Sequence, residues 1–123
     1  MPYQIAWEGQ STANVTYSGM TDSKEVLDVV KILNGDWRFD MLKRVLHDFT
    51  GIDGYTDHDH SALEDVSALN NGAALYHPNV KIAIVTERID VIDVVNTYEE
   101  MSGSPYPLQI FATRAAALTW LGQ

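Results

Sequence analysis

Large apolar and polar residues alternate with a period of two along Tyr3-Gln4-Ile5-Ala6-Trp7-Glu8, and again along Ala13-Asn14-Val15-Thr16-Tyr17-Ser18. That is the spacing of half-buried strands. With the turn-forming Gly9 between them, the pair predicts an antiparallel hairpin whose second strand ends at Gly19. The period then changes: Val26, Val29, Val30 and Leu33 recur at i, i+3, i+4 and i+7, one apolar stripe of a helix. Ahead of them Asp22-Ser23-Lys24-Glu25 has the form of a capping box, with Asp22 accepting from first-turn amides and Glu25 reaching back. Asn34-Gly35 predicts a left-handed stop.

Arg44-Val45-Leu46-His47-Asp48-Phe49-Thr50 is apolar on both parities, which suits an inner strand, and it is expected to end at Gly51. A second helix is predicted to begin within residues 57–61, turn Leu63, Val66, Leu69 and Ala73 inward, and finish before His77-Pro78. Gly72 inside it is either a weak spot or a point of close approach to the sheet. Val80-Lys81-Ile82-Ala83-Ile84-Val85-Thr86 is the most apolar strand candidate and should be central. A third helix from about Glu87 to Ser102 carries Val91, Val94, Val95 and Tyr98 on one stripe. Leu108-Gln109-Ile110-Phe111-Ala112 reads as a last strand, and Thr113 can cap a final helix, Arg114 to Leu121. The order is ββαβαβαβα. Strands alternating with helices imply a mostly parallel sheet, so the fold class is α/β, a mixed five-stranded sheet with about four helices, in one domain spanning 1–123.

Composition agrees with one packed core: 46% of the 123 residues are apolar, with three Trp, six Tyr and three Phe. There is no Cys, which removes disulfides, thiolate nucleophiles and Cys-based metal sites. The opening residues lack a secretory pattern and no run reaches the length of a membrane span, so a cytoplasmic product is expected. The glycosylation pattern at Asn14-Val15-Thr16 then carries no weight. A net charge of −9 disfavours nucleic acid and anionic membranes and favours solubility or a basic partner surface.

Val45-Leu46-His47-Asp48-Phe49-Thr50-Gly51-Ile52 leads into the second helix. Other notable segments are Trp7-Glu8, Asp36-Trp37-Arg38-Phe39-Asp40, the passage from His77-Pro78 to Val85, and Ala115-Ala116-Ala117-Leu118-Thr119-Trp120-Leu121. Together, and in this element order, they resemble the SpoIIAA-like (STAS/SEC14-like) family of small stand-alone bacterial domains related to anti-sigma-factor antagonists. Antagonist domains have Asp-Leu-Ser-Gly at the third strand's end, matched here by Asp48-Phe49-Thr50-Gly51. They then have Asp-Ser-Ser or Asp-Ser-Gly at the next helix start, where phosphorylation of the serine switches partner binding. Here that region reads Tyr55-Thr56-Asp57-His58, so Thr56 stands in the Asp place and Asp57 in the Ser place. Thr56 and Ser61 are the displaced candidate phosphosites. The SEC14-like half of the resemblance implies lipid binding.

Asp57-His58-Asp59-His60 is the densest polar cluster. Its i, i+2 spacing splays side chains on a helix, so it reads as a solvated first turn and not as a metal site. His77 reads as the end of the second helix, and His47 as a hydrogen-bonded core histidine. No Gly-x-Ser-x-Gly elbow and no phosphate-binding glycine loop is present, so no catalytic residue and no cofactor is assigned; a hydrolase is the remote enzymatic alternative. The expectation is a regulatory protein-interaction module using Tyr55, Thr56, Asp57, His58 and His60. The alternative is a carrier or sensor of an apolar small molecule lined by the third helix. A homodimer is compatible with either if the helices leave one face of the sheet bare.

Overall fold

The structure is a computed structural model that describes residues 3–57, 61–102 and 105–122, with no side chain described for Ser102. Strands β1 (Tyr3–Glu8), β2 (Thr12–Asp22), β3 (Arg44–Thr56), β4 (Lys81–Val85) and β5 (Leu108–Phe111) form one sheet in the order of the sequence. β1 pairs with β2 antiparallel, and every other pairing is parallel. Helices α1 (Ser23–Gly35), α2 (Ser61–Tyr76) and α3 (Ile89–Ser102) make the crossovers, and α4 (Arg114–Leu121) follows the last strand. This is the mixed five-stranded α/β sheet with four helices that the sequence predicts.

Sequential strand order joined by crossovers of one hand puts successive helices on one face. The packing agrees: Val15, Tyr17, Val45, Phe49, Ile82 and Ile84 meet Val29 and Leu33 of α1 and Val91 and Val95 of α3. α2 closes this layer, with Leu63 and Val66 against Val30 and Tyr98. α4 lies on the other face, where Ala117 and Leu121 cover Leu46, Ala83 and Val85. Beyond α4 that face exposes Gln4, Ala6, Glu8 and Thr16, a small and polar surface that tolerates water. Among the described residues no helix is long and apolar enough to cross a membrane.

Several local expectations change. Gly19 does not end β2: with φ +68° it sits at a slip in the β2–β3 register, and pairing resumes as far as Asp22 beside Thr56. A glycine bulge bends a strand without stopping it. β3 likewise runs past Gly51, because its neighbour β2 continues beside it. Gly35 has no left-handed φ; α1 ends at an extended Asp36, whose carboxylate accepts from Arg38 N at 2.9 Å. Asp22 does cap α1, accepting from Glu25 N at 3.0 Å, but Glu25 does not reach back, and its Oε2 is buried without a partner. α3 begins at Ile89, after Thr86 Oγ1 accepts from Arg88 N. On α2, Ser67 and Asn70 are buried while Leu69 and Ala73 are only half-buried, and Gly72 is exposed with no neighbour near its Cβ position. The close-approach reading of Gly72 therefore fails.

Candidate functional site

The continuation of β2 and β3 beyond Asp48, the last β3 residue paired with β4, makes a two-stranded extension at the carboxyl end of the sheet. In parallel α/β sheets this end is where binding loops gather. The extension delivers the chain into α1 after Asp22 and towards α2 after Thr56, so both helix N-termini meet there. A cleft of about 180 Å³ separates them, lined by Asp22, Lys24, Thr56, Asp57 and Ser61.

Of the predicted site residues, Thr56, Asp57 and Ser61 thus come together. Thr56 and Asp57 are half-buried, and Ser61 is exposed as the first residue of α2. His58 and His60 lie outside the described residues. Tyr55 departs from expectation: it is not an exposed aromatic at a tip but only 9% accessible. Because β3 continues through it, its side chain turns inward against Phe49, edge to face at 6.1 Å, and its hydroxyl is 2.7 Å from Ser23 Oγ. Burial pushes the Tyr55 phenol well above its ordinary pKa.

The extension is fastened to α3. Tyr55 N donates to Asp90 Oδ2 at 3.2 Å, and Arg88 grips the same carboxylate through Nε and Nη2, each at 3.0 Å. The Arg88 guanidinium holds the Asp90 carboxyl below the usual range. Further back on β3, Asp48 accepts from Thr50 N and Thr50 Oγ1 through Oδ1 and from Arg114 through Oδ2, tying β3 to the start of α4. Sequence reasoning missed these clasps because each acid meets its distant partner only after folding. It also missed the exposed apolar residues beside them. Met20, 61% exposed, lies over Gly54, where a Cβ would come within 3.0 Å of its methyl; Arg88 flanks the same glycine, and Ile89 is 75% exposed.

The chemistry available here is limited. Ser23 and Tyr55 bond to each other in the core. Tyr17 and His47 place a hydroxyl 3.0 Å from an imidazole nitrogen, the outline of a nucleophile and base. Both are buried, however, and burial raises the Tyr17 phenol while lowering His47 to about 4. The expectation of a hydrogen-bonded core histidine at position 47 holds. Among the described residues no group of three metal-ligating side chains converges. A cleft of about 330 Å³ lies at the opposite end of the sheet between Lys43, Arg44 and Lys81. There Arg44 Nε and Lys81 Nζ donate to the Leu121 and Trp120 carbonyls, so these cations complement the C-terminal end of α4.

No family model and no curated protein sequence matches this chain. Solved structures do. The anti-sigma factor antagonist SpoIIAA in its unphosphorylated form aligns with a TM-score of 0.61 at 13% identity, over 97% of this chain and 96% of that one. An anti-sigma factor antagonist from Mycobacterium paratuberculosis aligns at 0.59 and 11%, over 98% and 93%. An uncharacterised DUF3478-family protein with a SpoIIAA-like fold from Shewanella loihica aligns at 0.53 and 16%, over 97% and 91%. The chain has the SpoIIAA-like, STAS-type fold. At such identities the likeness establishes the fold alone.

Proposed function

We propose that the protein is a non-catalytic regulatory module that binds a protein partner with the carboxyl end of the β2–β3 extension and the start of α2. The observation carrying this reading is the likeness, over nearly the whole chain, to the fold of anti-sigma factor antagonists. The local surface is compatible: Thr56, Asp57 and Ser61 supply polar contacts, while Met20 and Ile89 supply exposed apolar ones. Apolar anchors ringed by polar groups are the usual make-up of a recognition patch. Asp57 keeps a carboxylate where an antagonist has its switch serine, and the acidic chain favours a basic partner face. Ser61 and Thr56 remain as acceptors for a phosphate, which would meet the N-terminal end of α2.

The test is affinity capture with a triple variant, Met20→Asp, Asp57→Lys and Ile89→Asp, against wild type and a Leu75→Asp control. Leu75 is exposed near the far end of α2, roughly 20 Å from Ser61 by helical rise. Wild type and control should retain a partner that the triple variant loses. Equal capture by all three removes this surface from consideration.

A further inference from the structure

The core beneath the three-helix layer is incompletely filled. A cavity of about 70 Å³ lies between the sheet and α1, α2 and α3, walled by residues such as Val26, Ile84 and Val95. A second, of about 40 Å³, adjoins it towards Leu42 and Phe39. His47 and Asn70 line both, together with Val30 and Ile82. The two polar side chains therefore stand at the partition of a mostly apolar chamber, whose walls also include Asn34, Tyr55, Tyr98 and Tyr106.

Each is more than nine-tenths buried, with exposures of 6% for His47 and 8% for Asn70. Each also uses only part of its hydrogen-bonding capacity. His47 Nδ1 lies 3.0 Å from the Tyr17 hydroxyl, and Asn70 Nδ2 donates to Tyr98 Oη at 3.0 Å. Among the described residues neither His47 Nε2 nor Asn70 Oδ1 has a partner. Neither atom is among the sealed-in unpartnered atoms, such as Thr21 Oγ1 and Glu25 Oε2, and both residues line the two cavities. Among the described residues Tyr17 has no other acceptor for its hydroxyl proton, so it donates to Nδ1, and the neutral imidazole carries its own proton on Nε2. His47 and Asn70 thus offer the chamber one donor, Nε2–H, and one acceptor, Oδ1. Polar atoms left unpaired in an apolar surround are costly, and an apolar cavity with a few placed polar groups is the common form of a ligand site.

We propose that this divided cavity binds a small neutral molecule carrying a hydroxyl or carboxamide, which engages His47 Nε2–H and Asn70 Oδ1 while its hydrocarbon part lies among the valines and isoleucines. The donor–acceptor pair fits a hydroxyl, which is both. Burial keeps His47 uncharged, with a pKa lowered to about 4, so nothing in the chamber favours an anion. Size limits the ligand. Drug-sized ligands occupy roughly 300–1,000 Å³, and an apolar cavity of about 150 Å³ takes benzene, so this chamber holds a handful of non-hydrogen atoms and no lipid chain. The site is independent of the proposed partner surface.

The probes are 1-propanol and propane-1-thiol, alike in length but different in hydrogen-bonding strength; with no cysteine in the chain, the thiol has nothing to exchange with. In nuclear magnetic resonance titrations 1-propanol should give saturable shifts at Val30, Ile82 and Val95 and at His47 Nε2, with at least fivefold tighter binding than the thiol. Asn70→Leu should abolish the preference. Because that variant also loses the Tyr98 contact, intermolecular Overhauser effects from the propanol methyl to core Val and Ile methyls in wild type provide the second measurement. Equal affinities, shifts confined to the surface, or a water at Nε2 that the alcohol never displaces would each overturn the proposal.

Discussion

Acidification from pH 7 to pH 5 protonates His47 in the unfolded chain but leaves it neutral in the folded one. Unfolded, the imidazole is an ordinary one with a pKa near 6.5 and takes up a proton over that interval; folded, it is lowered to about 4 and stays neutral. Its folded pKa lies below its unfolded one, so the neutral form's contribution is complete above about pH 6.5 and is lost as the pH falls from there towards 4. One pKa unit corresponds to about 1.4 kcal/mol, so the full loss is about 3 kcal/mol, of which about 2 kcal/mol falls between pH 7 and pH 5. Burial is the cause, and the nearest hydrogen-bonding group is the uncharged Tyr17 hydroxyl. The assay is urea denaturation at pH 7 and pH 5 for wild type and His47→Gln, which keeps a polar side chain beside Tyr17 but cannot titrate. Taking the difference between the two proteins removes the carboxylates common to both, including Glu25, whose raised pKa acts in the other direction. Wild type should lose about 2 kcal/mol more than the variant over that interval. Parallel losses, or a folded His47 titrating near pH 6.5 by nuclear magnetic resonance, would refute the argument.

Two further substitutions probe the extension that carries the site. Gly19→Ala puts a Cβ on a residue at φ +68° and should cost about 1–2 kcal/mol in denaturation midpoint, with no clash involved because the space there is open. Tyr55→Phe strips Ser23 Oγ of its 2.7 Å partner in the core; about 1–2 kcal/mol of stability should disappear while partner capture is unchanged. Loss of capture by a folded Tyr55→Phe protein would return that residue to the binding surface.

The stripes of α1 and α3 and the apolar run of β4 were legible because each is a local period imposed by one buried face. The extension was not. Gly19 and Gly51 look like strand breakers in isolation, and only the presence of each strand beside the other turns one into a bulge and carries the ladder past the second. That one difference moved Tyr55 from a loop into the core. Asn70 was hidden for another reason: it lies on the same buried face as Leu63 and Val66 but is polar, so an aliphatic pattern passes over it, and its contact with Tyr98 comes from a helix 28 positions later. Thr56, Asp57 and Ser61 were named from the family resemblance at the start of the second helix, and the structure brings them to one cleft, whereas Arg88 and Asp90 meet Tyr55 only through the order of the strands.

That order has a mechanical meaning as well. With strands laid side by side as the chain makes them, β1 and β5 stand at opposite edges of the sheet, four spacings or roughly 19 Å apart. Tension applied through β1 and β5 would pull the sheet across its width, loading the ladders one after another as a zip is opened, so an optical-trap trace should show a low rupture force and early loss of the two-stranded edge hairpin.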